Sequence, residues 1–117
     1  MSIYSCLYMR KPDALQGSLD LLVLKILSRR PRTHGYGIMA AVREASDDLL
    51  SIEEGSLYPA LYRMEEAGWV CAEWIKKDSG RRARLYQLTP AGKKQLEAEE
   101  SRWQATTSAI NHVLRTV

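Results

Sequence analysis

Leu15, Leu19, Leu22, Val23, Ile26 and Leu27 recur at spacings of three and four, which predicts a helix with a broad apolar face near residues 14–29. Leu21 and Leu24 widen that face, so the helix should be deeply buried or shared with a partner. Asp13 is the expected N-cap, and Pro31 ends the segment by disfavouring helical geometry at the residue before it. His34-Gly35-Tyr36-Gly37 reads as a turn leading into a short amphipathic helix carrying Ile38, Met39 and Val42, which Asp47-Asp48 breaks. A third helix follows, with Glu53 and Glu54 at its start and Leu57, Ala60, Leu61 and Met64 on one face. Gly68 stands where a left-handed cap is wanted. Pro59 loses the hydrogen bond to the Gly55 carbonyl and is expected to bend the first turns.

After Gly68 the period drops to two. Val70, Ala72 and Trp74 alternate with Cys71, Glu73 and Ile75, and a second strand runs from Ala83 to Leu88 beyond a polar turn, so the pair reads as a hairpin. Thr89-Pro90 is a compact helix start, a hydroxyl cap before a proline at the first helical position. In the helix from Pro90 to near Arg115, Leu96, Trp103, Ile110 and Val117 fall seven apart, with Val113 and Leu114 beside them and charged flanks. That narrow stripe reads either as one edge laid against its own domain or as a coiled-coil-like seam with a second chain, and the seam is favoured because the helix extends past any element that could cover it.

Composition narrows the class without naming it. The 117 residues are 45% apolar and 26% charged, which fits one globular domain and argues against disorder. No run is long enough to span a bilayer, the N-terminus lacks a signal-peptide core, and Cys6 and Cys71 form no disulfide framework, so the expected compartment is the cytoplasm. The net charge of +3 becomes informative once divided along the chain. Lys25 to Arg43 holds five bases and no acid, Glu44 to Glu66 seven acids and one base, and Lys76 to Arg84 five bases and one acid.

Three helices followed by a hairpin is the order of a winged helix-turn-helix, in which the third helix enters the major groove and the hairpin loop reaches the backbone or minor groove. The expected fold is therefore mostly α with a small β-hairpin. Residues 1–89 form the winged helix-turn-helix DNA-binding domain, residues 1–12 being a mobile arm, and residues 90–117 form a C-terminal dimerisation helix. Lys76, Lys77, Arg81, Arg82 and Arg84 flank the Ser79-Gly80 tip and suit phosphate neutralisation. The third helix offers Ser56, Tyr58, Tyr62 and Arg63 to phosphates or base edges, although one of the two tyrosines should pack inward.

The segments Leu22 to Leu27, His34-Gly35-Tyr36-Gly37-Ile38, Glu54 to Leu61, Leu61 to Trp69, Gly80 to Tyr86 and Leu88-Thr89-Pro90-Ala91-Gly92 together resemble the PadR family of bacterial transcriptional regulators, over about residues 15–95. The resemblance makes Pro59 usual at its place and points to the short subfamily. It implies a homodimer in which the C-terminal helix meets the partner's first helix, bringing in Leu19 and Leu22 beside the seam residues Leu96, Trp103, Ile110, Val113, Leu114 and Val117. It implies that Tyr36, Ser56, Tyr58, Arg81 and Arg82 face double-stranded operator DNA, with Arg63 beside them, and that the protein sits on the nucleoid when bound. It further implies repression of a nearby gene, relieved by an effector. Trp103 has two readings, a dimer-core aromatic or a stacking surface for a planar aromatic effector, for which Glu99, Glu100 and Thr106 would favour a cationic or polar edge.

Two other functional classes fit the sequence less well. Catalysis finds no support: His34 and His112 lack a partnered nucleophile, His34 is better placed to cap backbone, and no phosphate loop, metal cluster, dinucleotide fingerprint or other cofactor motif is present. A winged module that binds protein rather than DNA is disfavoured by the basic wing.

Overall fold

The computed structural model describes residues 11–117, with side chains from residue 18 onward. The chain runs α1 (Lys11–Arg29), α2 (Gly35–Ala45), α3 (Glu54–Glu66), β1 (Val70–Lys76), β2 (Arg82–Leu88) and α4 (Pro90–Thr116). Helix α1 begins before Asp13, so Asp13 lies inside the helix and is not its N-cap. Pro12 is compatible with this start, because the first turn needs no backbone donor there. Lys11 and Pro12 thus belong to α1, whereas the rest of the expected arm, residues 1–10 with Cys6, lies outside the described residues.

One apolar core joins the elements. Leu19, Val23, Leu24 and Leu27 of α1 meet Ile38 and Val42 of α2, Leu57, Ala60, Leu61 and Met64 of α3, Val70 and Tyr86 of the hairpin, and Leu96 of α4. Helix α3 runs unbroken through Pro59. Leu57 and Leu61, both fully buried, clamp the helix on either side of the proline, so core packing outweighs the one lost backbone bond.

The end of α3 shows how local chemistry launches the hairpin. Gly68 adopts φ 81°. Its N–H donates to the Glu65 carbonyl at 3.0 Å and the Trp69 N–H to the Met64 carbonyl at 2.9 Å, a Schellman ending that only a residue tolerant of positive φ closes cheaply. Strands β1 and β2 pair antiparallel from Val70↔Leu88 to Lys76↔Arg82. At the tip, Lys77 N–H donates to the Arg81 carbonyl and Gly80 N–H to the Lys77 carbonyl, both at 2.8 Å, so the Asp78-Ser79-Gly80 loop holds a tight turn that ends on Gly80 at φ 87°.

A feature absent from the periodicity ties this hairpin to the helices. Thr33, between α1 and α2, exchanges both backbone bonds with Tyr86 at 3.0 and 2.9 Å, making a one-residue third strand. At the other end of the hairpin, Thr89 caps α4 as expected. Its Oγ1 accepts from Gly92 N–H at 3.0 Å and donates to the Gly68 carbonyl at 2.6 Å. Gly92 is buried against the Trp69 carbonyl, where a Cβ would collide with backbone.

Helix α4 packs on α1 of its own chain through its first turns, and Lys25 pairs with Glu100 at 3.3 Å across that contact. Leu19 and Leu96, expected at a dimer seam, are core residues of one chain, and Leu22 packs half-buried against the same core. Beyond Leu96 the stripe emerges: Trp103, Ile110, Val113, Leu114 and Val117 are all exposed on a single chain.

Candidate nucleic-acid interface

The interface is assembled from two helix starts and a hairpin. His34 caps α2, its Nδ1 accepting from Gly37 N–H at 2.9 Å, which is the backbone-capping role its turn suggested. The cap presents Tyr36 outward, 66% exposed. The hydrogen-bonding carboxylate of Glu54, at the first turn of α3, faces the Tyr36 hydroxyl and pushes its pKa above the ordinary 10.0. Tyr58, one turn further along α3, lays its ring against Gly35, and burial raises its pKa as well. Neither tyrosine on α3 packs inward as expected: Tyr58 is 39% exposed and only lies against Gly35, and Tyr62 is 66% exposed. Ser56 is also exposed, on the outer side of the first turn.

The wing closes the other side. His34, Gly35, Tyr36 and Tyr58 share a groove of about 480 Å³ with Trp74, Lys77, Arg81, Arg82, Arg84 and Tyr86. Trp74 was read as part of the apolar strand face with Val70 and Ala72. The alternation holds, but that face leaves the core as the hairpin extends, so Val70 is buried and Trp74 is 54% exposed. The Arg82 guanidinium lies 4.7 Å from the Trp74 ring centroid, a cation–π stack that holds the cation at the groove edge. Only the fold could single out Trp74, since the sequence signal was a plain β-strand aromatic.

The basic residues separate into two groups. Arg63 makes a two-pronged bond to Asp20 of α1, at 2.7 and 2.8 Å, which raises its pKa further and occupies its fork. Arg84 donates to Glu65 at 2.6 Å. Both were expected to face DNA, and both are instead neutralised by a carboxylate of the protein itself. Lys76, Lys77, Arg81 and Arg82 differ: among the described residues, none of the four pairs with a carboxylate. Lys76 and Arg82 even stand opposite each other in the ladder. Like charges in that position repel, and an anion bridging them would relieve the repulsion.

Further from the groove, Trp103 is 50% exposed on α4. The acids thought to colour its surroundings are already engaged: Glu100 binds Lys25, and Glu99 accepts from Gln95 at 2.8 Å and Arg102 at 3.5 Å. Their preference for a cationic ligand is weakened accordingly. Among the described residues no group of His, Cys, Asp and Glu could hold a metal ion, and no helix is long and apolar enough to cross a membrane.

Comparison with known proteins gives the family and the fold. Residues 23–98 match the Transcriptional regulator PadR-like family. The fold is similar to that of a transcriptional regulator from Clostridium thermocellum, with 29% identity, a TM-score of 0.79, and coverage of 86% of this chain and 96% of that one. It is also similar to a PadR family transcriptional regulator from Eggerthella lenta, at 30% identity and a TM-score of 0.74, covering 90% and 88%. A PadR-like regulator from Bacillus cereus aligns at 25% identity with a TM-score of 0.73, over 90% and 99%.

Proposed function

Because this chain belongs to the PadR-like family, whose members are transcriptional regulators and not enzymes, we propose that it acts as a homodimeric repressor. It grips operator DNA with the start of α3 and with the wing, close to its own gene. The observation that carries this reading is the run of four unneutralised cations, Lys76, Lys77, Arg81 and Arg82, beside the aromatic groove at α2 and α3. Every other wing or α3 cation is already paired within the protein. Unpaired cations at close quarters favour a polyanion, and a duplex backbone is one. Tyr36, Ser56 and Tyr58 then contact backbone or base edges from the helix side.

Dimerisation is supported by the exposed stripe from Trp103 to Val117, which a second copy of α4 would cover. In that dimer the two Trp103 rings come close to the seam, and a planar aromatic effector stacking on them would alter the crossing of the helices and release DNA.

The test is binding of labelled duplex from the DNA adjoining the gene, measured by anisotropy over a salt series. A log–log slope well below zero is expected. Replacing Arg81 and Arg82 together by Ala should weaken binding to every duplex and flatten the slope by about one for each lost phosphate contact. No binding at low salt sinks the regulator reading, and an unchanged slope in the variant removes the wing from it.

A further inference from the structure

Arg84 ends the basic run of the wing, furthest from the tip, and behaves unlike its neighbours. Its Nη2 donates to Glu65 Oε2 at 2.6 Å, and its guanidinium lies 5.4 Å from the Trp74 centroid and 6.0 Å from that of Tyr86. Its Nε is buried without an acceptor among the described residues. Its side chain is only 35% exposed and that of Glu65 29%. A guanidinium meant for phosphate would keep its donors outward; this one turns Nη2 to a carboxylate of its own chain and buries Nε.

The partners define what the bond connects. Glu65 belongs to the last turn of α3, whereas Arg84 is central in β2 and faces Trp74 across the ladder. Trp74 in turn carries Arg82, one of the four unpaired cations. Contacts therefore run from the recognition helix through Glu65, Arg84 and Trp74 to a cation on the groove edge. An isolated two-stranded hairpin is marginal in water, and away from its base this one is fastened by the Thr33–Tyr86 bridge, by the Arg32–Glu73 ion pair at 2.6 Å, and by this tie, the one of the three that reaches α3.

We infer that Glu65 and Arg84 are a positioning pair that fixes the angle of the wing to α3, and that Arg84 is not itself a DNA contact. The inference rests on the DNA-binding reading for its effect on affinity, but the tie itself exists without DNA. It makes an unusual demand of an acid: Glu65, a negative charge beside the binding surface, promotes binding of a polyanion by holding the wing in place.

The test uses the full chain with Glu65→Gln, Arg84→Met, their double variant, and the swap Glu65→Arg with Arg84→Glu. Anisotropy on the gene-adjacent duplex over a salt series is paired with amide hydrogen exchange in the absence of DNA. Each single variant is expected to weaken binding by about five- to tenfold with the salt slope retained. The double variant should be no worse than either single one, and the swap should recover part of the loss. Amides of β1 and β2 should exchange several-fold faster in both single variants. If Arg84 instead touches phosphate, Arg84→Met lowers the slope by about one, Glu65→Gln tightens binding by freeing the guanidinium, and the swap binds worst; that pattern overturns the proposal. Unchanged hairpin exchange overturns it whether or not the wild-type chain binds duplex. Wild-type protein that fails to bind at any salt counts against the regulator reading alone, because exchange still decides the tie.

Discussion

The ring of Tyr58 on α3 lies over Gly35 at the start of α2, so closely that a Cβ at Gly35 would stand 2.6 Å from Tyr58 Cζ and 2.9 Å from Cε1. Gly35 is buried, and its missing side chain is the space the tyrosine occupies. The two helices of the helix-turn-helix are thereby keyed together at the end that faces the groove.

Gly35→Ala should therefore displace Tyr58. We expect a loss of about 1–3 kcal/mol in urea unfolding, the usual range for inserting a methyl into a packed site. Adding Tyr58→Ala should recover much of that stability but not DNA affinity. Equal losses in the single and double variants would show that the contact is not what Gly35 serves.

Arg63 and Asp20 join α3 to α1, with side chains 56% and 22% exposed. Arg63→Met should cost no more than about 1 kcal/mol, since solvent screens much of the pair. Its signature lies in DNA binding: the salt slope should stay at the wild-type value. A slope lowered by about one would place Arg63 on a phosphate after all.

Ile110→Asp puts like charges at the middle of the proposed seam. Burial of an isoleucine is worth about 1.5–3 kcal/mol, so the dimer should weaken by at least tenfold in sedimentation. A dimer that persists unchanged would move the interface off α4. Stability of the monomer core should not fall, because Ile110 touches none of it on a single chain.

Alkaline pH supplies an independent check on the tyrosines. Tyr36, Tyr58 and Tyr86 all titrate above the ordinary 10.0, Tyr36 mainly through Glu54 and the other two mainly through burial. The folded chain holds these protons more tightly than the unfolded one, so their contribution is complete below pH 10.0 and is lost as pH rises through the raised values. Unfolding midpoints should be flat in this respect on the acid side of that window and decline beyond it. Absorbance at the phenolate band that shows all six tyrosines ionising together at the ordinary value would contradict the packing of Tyr58 and Tyr86.

Much of this was legible before any coordinates. Periodicity placed the helices because each buries one face, and the Gly68 and Thr89 caps follow from residue chemistry alone. The Thr33–Tyr86 bridge was not legible, since one paired residue leaves no period. Nor could sequence separate Arg84 from Arg81: both are arginines in one basic run, and only the position of Glu65 on a different element tells them apart. The same holds for Arg63, whose partner Asp20 lies 43 positions away. Leu96 fell on the seven-residue stripe, yet the core of its own chain claims it, because periodicity alone does not say which helix covers a face.

Helix α4 has 27 residues, about 40 Å of rod at the standard rise, and is gripped by the core only near its start. Such a rod is a lever. With a second copy seated on its far half, a rotation of about 5° at that contact swings each DNA-binding head by roughly 3.5 Å, close to the rise of one base pair. In the proposed dimer the angle at which two thin rods cross would set the spacing between the two heads, and a slight change in that angle would put them out of step with the helical repeat of DNA.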